Sequence, residues 1–180
     1  MSTLDYLEKL LSFDTTSAHS NSELITWVQS ELLAFGAIVK IIPNEDGSKA
    51  NLFATFGPQS CGGVMLSGHT DVVPVTGQDW TVPAFSMTRK DGKVFGRGTA
   101  DMKGFIASMM TAAKKASAQN LKTPLHLALS YDEEVGCIGV RSMIDMLSNA
   151  PIRPQMCIVG EPTGLSVATG HKGKIAARAK

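Results

Sequence analysis

Two kinds of hydrophobic pattern alternate along the chain. Leu4, Leu7, Leu10 and Leu11 recur at helical spacing behind Ser2 and Thr3, and Leu24, Ile25, Val28, Leu32 and Phe35 do so behind Ser20. Apolar residues three and four apart line one face of a helix, so both stretches predict amphipathic helices. For the second, Ser20 with Glu23 three places on predicts a capping box, and Gly36 a stop. AIVKII and NLFATF, parted by the turn-rich NEDGSK, read as strands, as do the short apolar runs VMLS (64–67), LHLALS (125–130) and MCIV (156–159). From Met102 to about Ala118, Phe105, Ile106, Met109, Met110 and Ala113 share one side, and Lys114 and Lys115 stand near the end, where cations suit the helix dipole. A further helical pattern runs from about Ile138 to Leu147. SMTRKDGKVFG, centred on Asp91-Gly92, predicts a hairpin. Strands alternating with helices predict an α/β domain with a mostly parallel central sheet flanked by helices.

Composition narrows what such a domain does. The 180 residues are 43% hydrophobic and 18% charged, with 17 basic side chains against 16 acidic ones. A chain of that size buries a core without disulfide or metal staples, so a metal would serve function and not folding. Balanced charge argues against nucleic acid as a partner, because phosphate binding needs a basic excess. The longest uncharged run, from Ala50 to Gly68, is broken by Gly57, Pro58, Gly62 and Gly63 and does not read as a membrane span. Asp5 and Glu8 occupy the stretch where a signal peptide would be basic and then apolar. Cys61, Cys137 and Cys157 form no CxxC pair and read as reduced thiols packed as small core residues. A cytoplasmic protein is expected.

The ionisable residues fall in a telling place. His69 and Asp71 follow the 64–67 run, Asp132, Glu133 and Glu134 follow the 125–130 run, and Glu161 follows the 156–159 run. In open α/β sheets the carboxyl ends of the strands form the ligand crevice, so three segments deliver acids to one edge. A fourth, GRGTADMKG (96–104), sets Asp101 at the start of a helix, with Gly96, Gly98 and Gly104 permitting close backbone approach. Five carboxylates in one crevice raise one another's pKa unless something positive intervenes. A pair of divalent metal ions answers that need, and a histidine with carboxylates but no cysteine suits Zn, Mn or Co. Asp101 is the candidate bridge between two ions.

SGHTDVVP (67–74) with GQDW (77–80), GRGTADMKG (96–104), SYDEEVGCIGVR (130–141) and VGEPT (159–163) together resemble the M20 family of dinuclear metallo-amidohydrolases. The resemblance spans essentially the whole chain, in the family's order and spacing. It implies that His69 and Glu161 bind one metal, that Asp101 bridges and that Glu134 binds the second. Asp71 would orient His69 from behind, and Glu133 would act as general base and then protonate the leaving amine. The implied reaction is hydrolysis of the amide of a small N-acyl amino acid. SGHTDVVPVTGQDW and YDEEVGCIGVR favour N2-acetyl-L-ornithine, which would place the chain in arginine biosynthesis. N-succinyl-diaminopimelate, other N-acyl amino acids and dipeptides are the alternatives within the family.

The resemblance also implies a departure. The family's second metal takes a further histidine from far downstream of Glu161, a segment these 180 residues do not contain. Residues 1–166 then correspond to the N-terminal part of a catalytic domain, and 167–180 to the start of a lid domain through which the family dimerises. That tail carries Lys172, Lys174, Arg178 and Lys180 and no acid. A non-catalytic relative that keeps one tight metal is the main rival. A nucleotide-binding module is the other, suggested by VFGRGTAD before a helix. Asp101, an anion where a pyrophosphate would sit, counts against it. Asp101 also reads as a plain helix cap, His126 as structural, and His19 and His171 as surface residues, with a substrate contact conceivable for His171.

Overall fold

The computed structural model describes residues 1–170 and Gly173. The expected start of the lid falls largely outside these, so His171, Lys172, Lys174, Arg178 and Lys180 lie outside the described residues. The elements are α1 (Thr3–Leu11), α2 (Ser22–Ala34), β1 (Ile38–Pro43), β2 (Ala50–Phe56), β3 (Val64–His69), β4 (Thr88–Lys90), β5 (Lys93–Phe95), α3 (Lys103–Ser117), β6 (Leu125–Ser130), α4 (Arg141–Ser148) and β7 (Met156–Val159). Among the described residues no helix is long and apolar enough to cross a membrane.

Five strands form the central sheet in the order β1-β2-β6-β3-β7. β2 runs antiparallel to both its neighbours, while β6, β3 and β7 are mutually parallel, so four of the five strands point one way. The parallel strands match the apolar runs; β6 in the interior is buried, while the edge strand β7 is exposed. β4 and β5 form a separate hairpin whose corner residues, Asp91 and Gly92, have φ of 51° and 71°. Left-handed backbone at both positions suits the twist of a two-residue turn.

One face of the sheet carries the core. Leu52, Ala54, Leu127 and Leu129 pack there with Leu10 and Leu11 of α1, Leu24, Val28 and Leu32 of α2, and Ile106, Met109 and Met110 of α3. The opposite face carries Asn51, Phe53, Thr55 and His126. As its alternation implies, His126 is structural: its Nδ1 lies 2.9 Å from Thr55 Oγ1, and its ring stacks on Phe53.

Three local expectations need correction. The capping box forms at α1, where Ser2 and Asp5 bond each other's backbone N–H, and not at α2. Ser20 bonds the Ser48 carbonyl instead, and Asn21, the residue before α2, turns its amide onto both backbone groups of Ala50 and onto Thr70 Oγ1. Tying the helix to the sheet satisfies more buried groups than capping would. The last helix begins at Arg141 because residues 133–139 form a tight turn against Tyr131. A Cβ on Gly139 would lie 2.1 Å from the Tyr131 carbonyl. The cysteines are not core residues. Cys157 is exposed on the edge strand β7, Cys137 is exposed in that turn, and Cys61 is half-buried.

Candidate metal centre

Register brings the site together. His69, the last residue of β3, pairs with Ser130, the last of β6, and Ser67 pairs with Val159, the last of β7. The three chains therefore leave the sheet side by side, and the residues just beyond them share one edge. Asp101 arrives from the turn before α3. A Cβ on Gly104 would lie 2.3 Å from the Thr99 carbonyl, so glycine alone permits that turn to fold back onto the helix. The Asp101–Met102 peptide bond is cis. Asp101 does not cap α3; its carboxylate turns to His69.

His69 is the hub. It is 2% exposed, and its Nε2 lies 3.0 Å from Asp101 Oδ1, 3.6 Å from Glu161 Oε1 and 3.9 Å from Glu133 Oε2. Donor atoms of His69, Asp101 and Glu161 all lie within 4.8 Å of one another. On the other side of the ring, Nδ1 lies 2.9 Å from the Asp71 carbonyl and 3.4 Å from its carboxylate. A carbonyl at that distance keeps Nδ1 protonated, so that Nε2, facing the carboxylates, is the nitrogen that becomes a lone-pair donor once it gives up its own proton. The His69 N–H donates to Met102 Sδ, which fixes the backbone.

Asp71 is buried and serves several partners at once. Oδ1 accepts the Glu133 N–H at 3.0 Å, and Oδ2 accepts the Glu134 N–H at 3.2 Å and the Ser17 hydroxyl at 2.7 Å. Burial alone would raise its pKa, but His69, Ser17 and the Glu133 amide outweigh burial and hold it below the usual range. Because both amides point at Asp71, the two glutamate side chains diverge. Glu133 lines a cavity of about 300 Å³ with His69, Met102, Cys137 and Glu161. Glu134 lines a separate one of about 390 Å³ with Asp14, Ser17, His19 and Val73–Thr76.

The electrostatics show what the site lacks. Burial would lower the His69 pKa, yet hydrogen bonding and charge from Asp71, the charge of Glu161 and the Asp101 hydrogen bond drive it up to about 9. Burial pushes Glu134 up, and Asp101 and Glu133 push it further. Burial likewise raises Glu161, with Asp101 and Glu133 adding to it against the pull of His69. A group of acids that draws a proton onto a buried imidazole is short of positive charge. One lone-pair nitrogen and several carboxylate oxygens facing one space form a donor set that a divalent cation fits.

Of the six site residues expected from the sequence, the structure groups His69, Asp101 and Glu161 closely, sets Asp71 behind them and Glu133 beside them. Glu134 is outside the close group and lines the other cavity, with Asp101 as its foremost charged neighbour. Sequence reasoning missed Ser17, Lys49 and Lys103. Lys103, two residues past Asp101, is fully buried, and its ammonium donates to the Phe13 carbonyl. Burial lowers its pKa to about 8, against the charge of Asp14. Ser17 and Lys49 lie in no motif, and Lys103, though inside GRGTADMKG, bonds Phe13, a residue remote in sequence that no local pattern points to.

A group of histidine and carboxylates that could hold a metal ion lies at the C-terminal edge of a mainly parallel sheet, and the chain belongs to peptidase family M20/M25/M40, whose sequence model matches residues 65–173. It is 39% identical over 165 residues to acetylornithine deacetylase of Pasteurella multocida (strain Pm70), an alignment covering 91% of this chain and 42% of that protein. Acetylornithine deacetylase of Proteus mirabilis (strain HI4320) is 39% identical over 163 residues, covering 90% of this chain and 41% of that protein. The chain thus spans well under half the length of these curated relatives. The fold is shared with an M20 family metallo-carboxypeptidase, Sso-CP2, from Sulfolobus solfataricus (TM-score 0.77, 21% identity, 89% of this chain and 37% of that one). It is shared also with human carnosine dipeptidase 1 (TM-score 0.69, 23% identity, 80% and 34%).

Proposed function

We propose that this chain carries the metal-binding and proton-transfer groups of an amide hydrolase acting on an N-acyl amino acid, with N2-acetyl-L-ornithine as substrate and L-ornithine and acetate as products. The observation that carries the reading is the grouping of His69, Asp101 and Glu161 around one space, with Asp71 bonded behind the imidazole. The 39% identity to acetylornithine deacetylases supports the choice of substrate. Ornithine as product fits arginine biosynthesis in the cytoplasm.

His69, Asp101 and Glu161 would hold one divalent ion, and Asp101 with Glu134 would contribute to a second. Such ions, when bound, polarise an amide carbonyl and make water acidic enough to attack it. The chain's own residues do the rest. Asp71 fixes the tautomer of His69 and keeps its Nε2 directed at the site. Glu133, beside the group and facing the adjoining cavity, takes the proton of the attacking water on a carboxylate oxygen. It then returns that proton to the leaving nitrogen. Cys137 Sγ, 3.4 Å from Glu133 Oε1, donates to that carboxylate.

Calorimetric titration of the chain with zinc or cobalt tests the reading. One close donor group among the described residues predicts about one tight ion per chain. Absence of any tight ion would refute the metal centre. Faster hydrolysis of N-succinyl-diaminopimelate than of N2-acetyl-L-ornithine would replace the substrate and leave the centre standing.

A further inference from the structure

Lys49 belongs to no motif and lies at the far end of the β1–β2 connection, yet it touches the site from behind. Its Nζ lies 2.6 Å from Asp132 Oδ1 and 2.6 Å from the Ser17 carbonyl, and both side chains of the ion pair are largely buried. Asn44 braces the approach, accepting the Lys49 N–H on its side-chain oxygen and donating its own N–H to the Lys49 carbonyl.

Each Lys49 partner leads directly to Asp71. Ser17 presents its carbonyl to Lys49 and donates its hydroxyl to Asp71 Oδ2. Asp132 has φ of 55°, a left-handed conformation that turns the chain sharply as it leaves β6. The next two amides, of Glu133 and Glu134, then converge on the Asp71 carboxylate. The contacts close a ring that runs from Lys49 to Asp132, through the glutamate amides to Asp71, and back through Ser17.

We propose that Lys49 is a positioning residue of the metal centre, holding the Glu133–Glu134 turn against Asp71 through Asp132 and Ser17. Its relation to a metal centre rests on the reading given under Proposed function; its hold on the turn does not. A left-handed aspartate costs energy and needs a fixed partner, which the ammonium supplies. A half-buried ion pair with a second acceptor is also worth more than an exposed one, because little water competes for it. Removing the ammonium leaves Asp132 unpaired and the Ser17 carbonyl without its donor, so the turn and the Ser17 loop lose their common anchor.

Amide hydrogen exchange, measured by NMR on the metal-free 180-residue chain, tests this without recourse to activity. In Lys49→Met the Glu133 and Glu134 amides should exchange at least tenfold faster than in the unaltered chain, while Leu127 and Leu129 in β6 keep their rates. Asp132→Asn should reproduce the effect, and the double variant should add nothing to it. Unchanged rates at Glu133 and Glu134, a uniform acceleration through β6, or additive effects of the two substitutions would each overturn the proposal. A parallel cobalt titration should show affinity about tenfold weaker in Lys49→Met, the scale on which residues behind metal ligands act. If the unaltered chain binds no cobalt, the metal-centre reading falls, and the exchange rates still decide the role of Lys49.

Discussion

His69 directs Nε2 at Oδ1 of Asp101 across 3.0 Å, although the two residues are 32 positions apart and belong to different segments. Their contact joins the end of a buried strand to the turn before a helix. Neither the strand nor the turn holds a charge well alone. Together with Glu161 they face one space with a nitrogen lone pair and carboxylate oxygens, the mixture that a borderline divalent cation takes.

Asp101→Asn and Glu133→Gln should separate holding an ion from moving a proton. Asp101→Asn removes a charge from the centre of the donor group and should cut zinc content after dialysis at least tenfold. Glu133→Gln should keep the ion and abolish hydrolysis. Metal analysis of both variants checks this, and equal metal loss would show that the two carboxylates share one role.

The metal-free chain should respond to pH through His69. Its folded pKa, about 9, stands above the ordinary 6.5. Its stabilising contribution is therefore fully present below pH 6.5 and lost as pH rises through 9. The melting temperature of the unaltered chain, compared with that of His69→Gln, should fall between pH 6.5 and 9. A difference that stays constant or grows over that window would contradict the buried, carboxylate-ringed imidazole.

Gly104→Ala reverses the usual rule for helices. Alanine in place of an ordinary helical glycine adds roughly 1 kcal/mol of stability. Here the new Cβ would lie 2.3 Å from the Thr99 carbonyl, so the turn carrying Asp101 must shift. Thermal unfolding should show a loss of stability, and calorimetry weaker metal binding; a stabilised variant with full affinity would refute the close approach.

Asn21→Ala should be costly and Ser20→Ala mild. Asn21 is buried and satisfies both the N–H and the carbonyl of Ala50. Two stranded buried groups at about 1–3 kcal/mol each imply a loss of roughly 2–6 kcal/mol in denaturant unfolding. Ser20 is exposed, so its loss should stay under about 1 kcal/mol. The reverse order would restore a capping role to Ser20.

Much of this architecture is legible in residue order because the strands concerned are short, continuous apolar runs. VMLS, LHLALS and MCIV read as strands for that reason, and the acids directly after them stand out against that apolar background. The Asp91-Gly92 hairpin is legible for a different reason, since its dihedral demands are local. Less is legible where two roles compete for one side chain. Ser20 and Glu23 match a capping box, but Asn21 has a buried strand end to satisfy, and tertiary bonding wins. Cysteine also misleads: Cys157 has the composition of a core residue but sits on an edge strand.

Residue order alone determined which side chains are the candidates for chemistry, because metal ligation and proton transfer depend on functional groups, and most of those groups directly follow the strands that present them. Only the tertiary structure decided that strands far apart in sequence lie in the order β1-β2-β6-β3-β7, because strand pairing is a contest among distant segments that no local pattern encodes. It alone decided that Asp71 binds the amides of the glutamate pair, that Asp101 turns to His69 instead of capping its helix, and that Lys49 closes the ring behind them. Those are contacts between loops, and what fixes a loop is the surroundings that satisfy its polar groups.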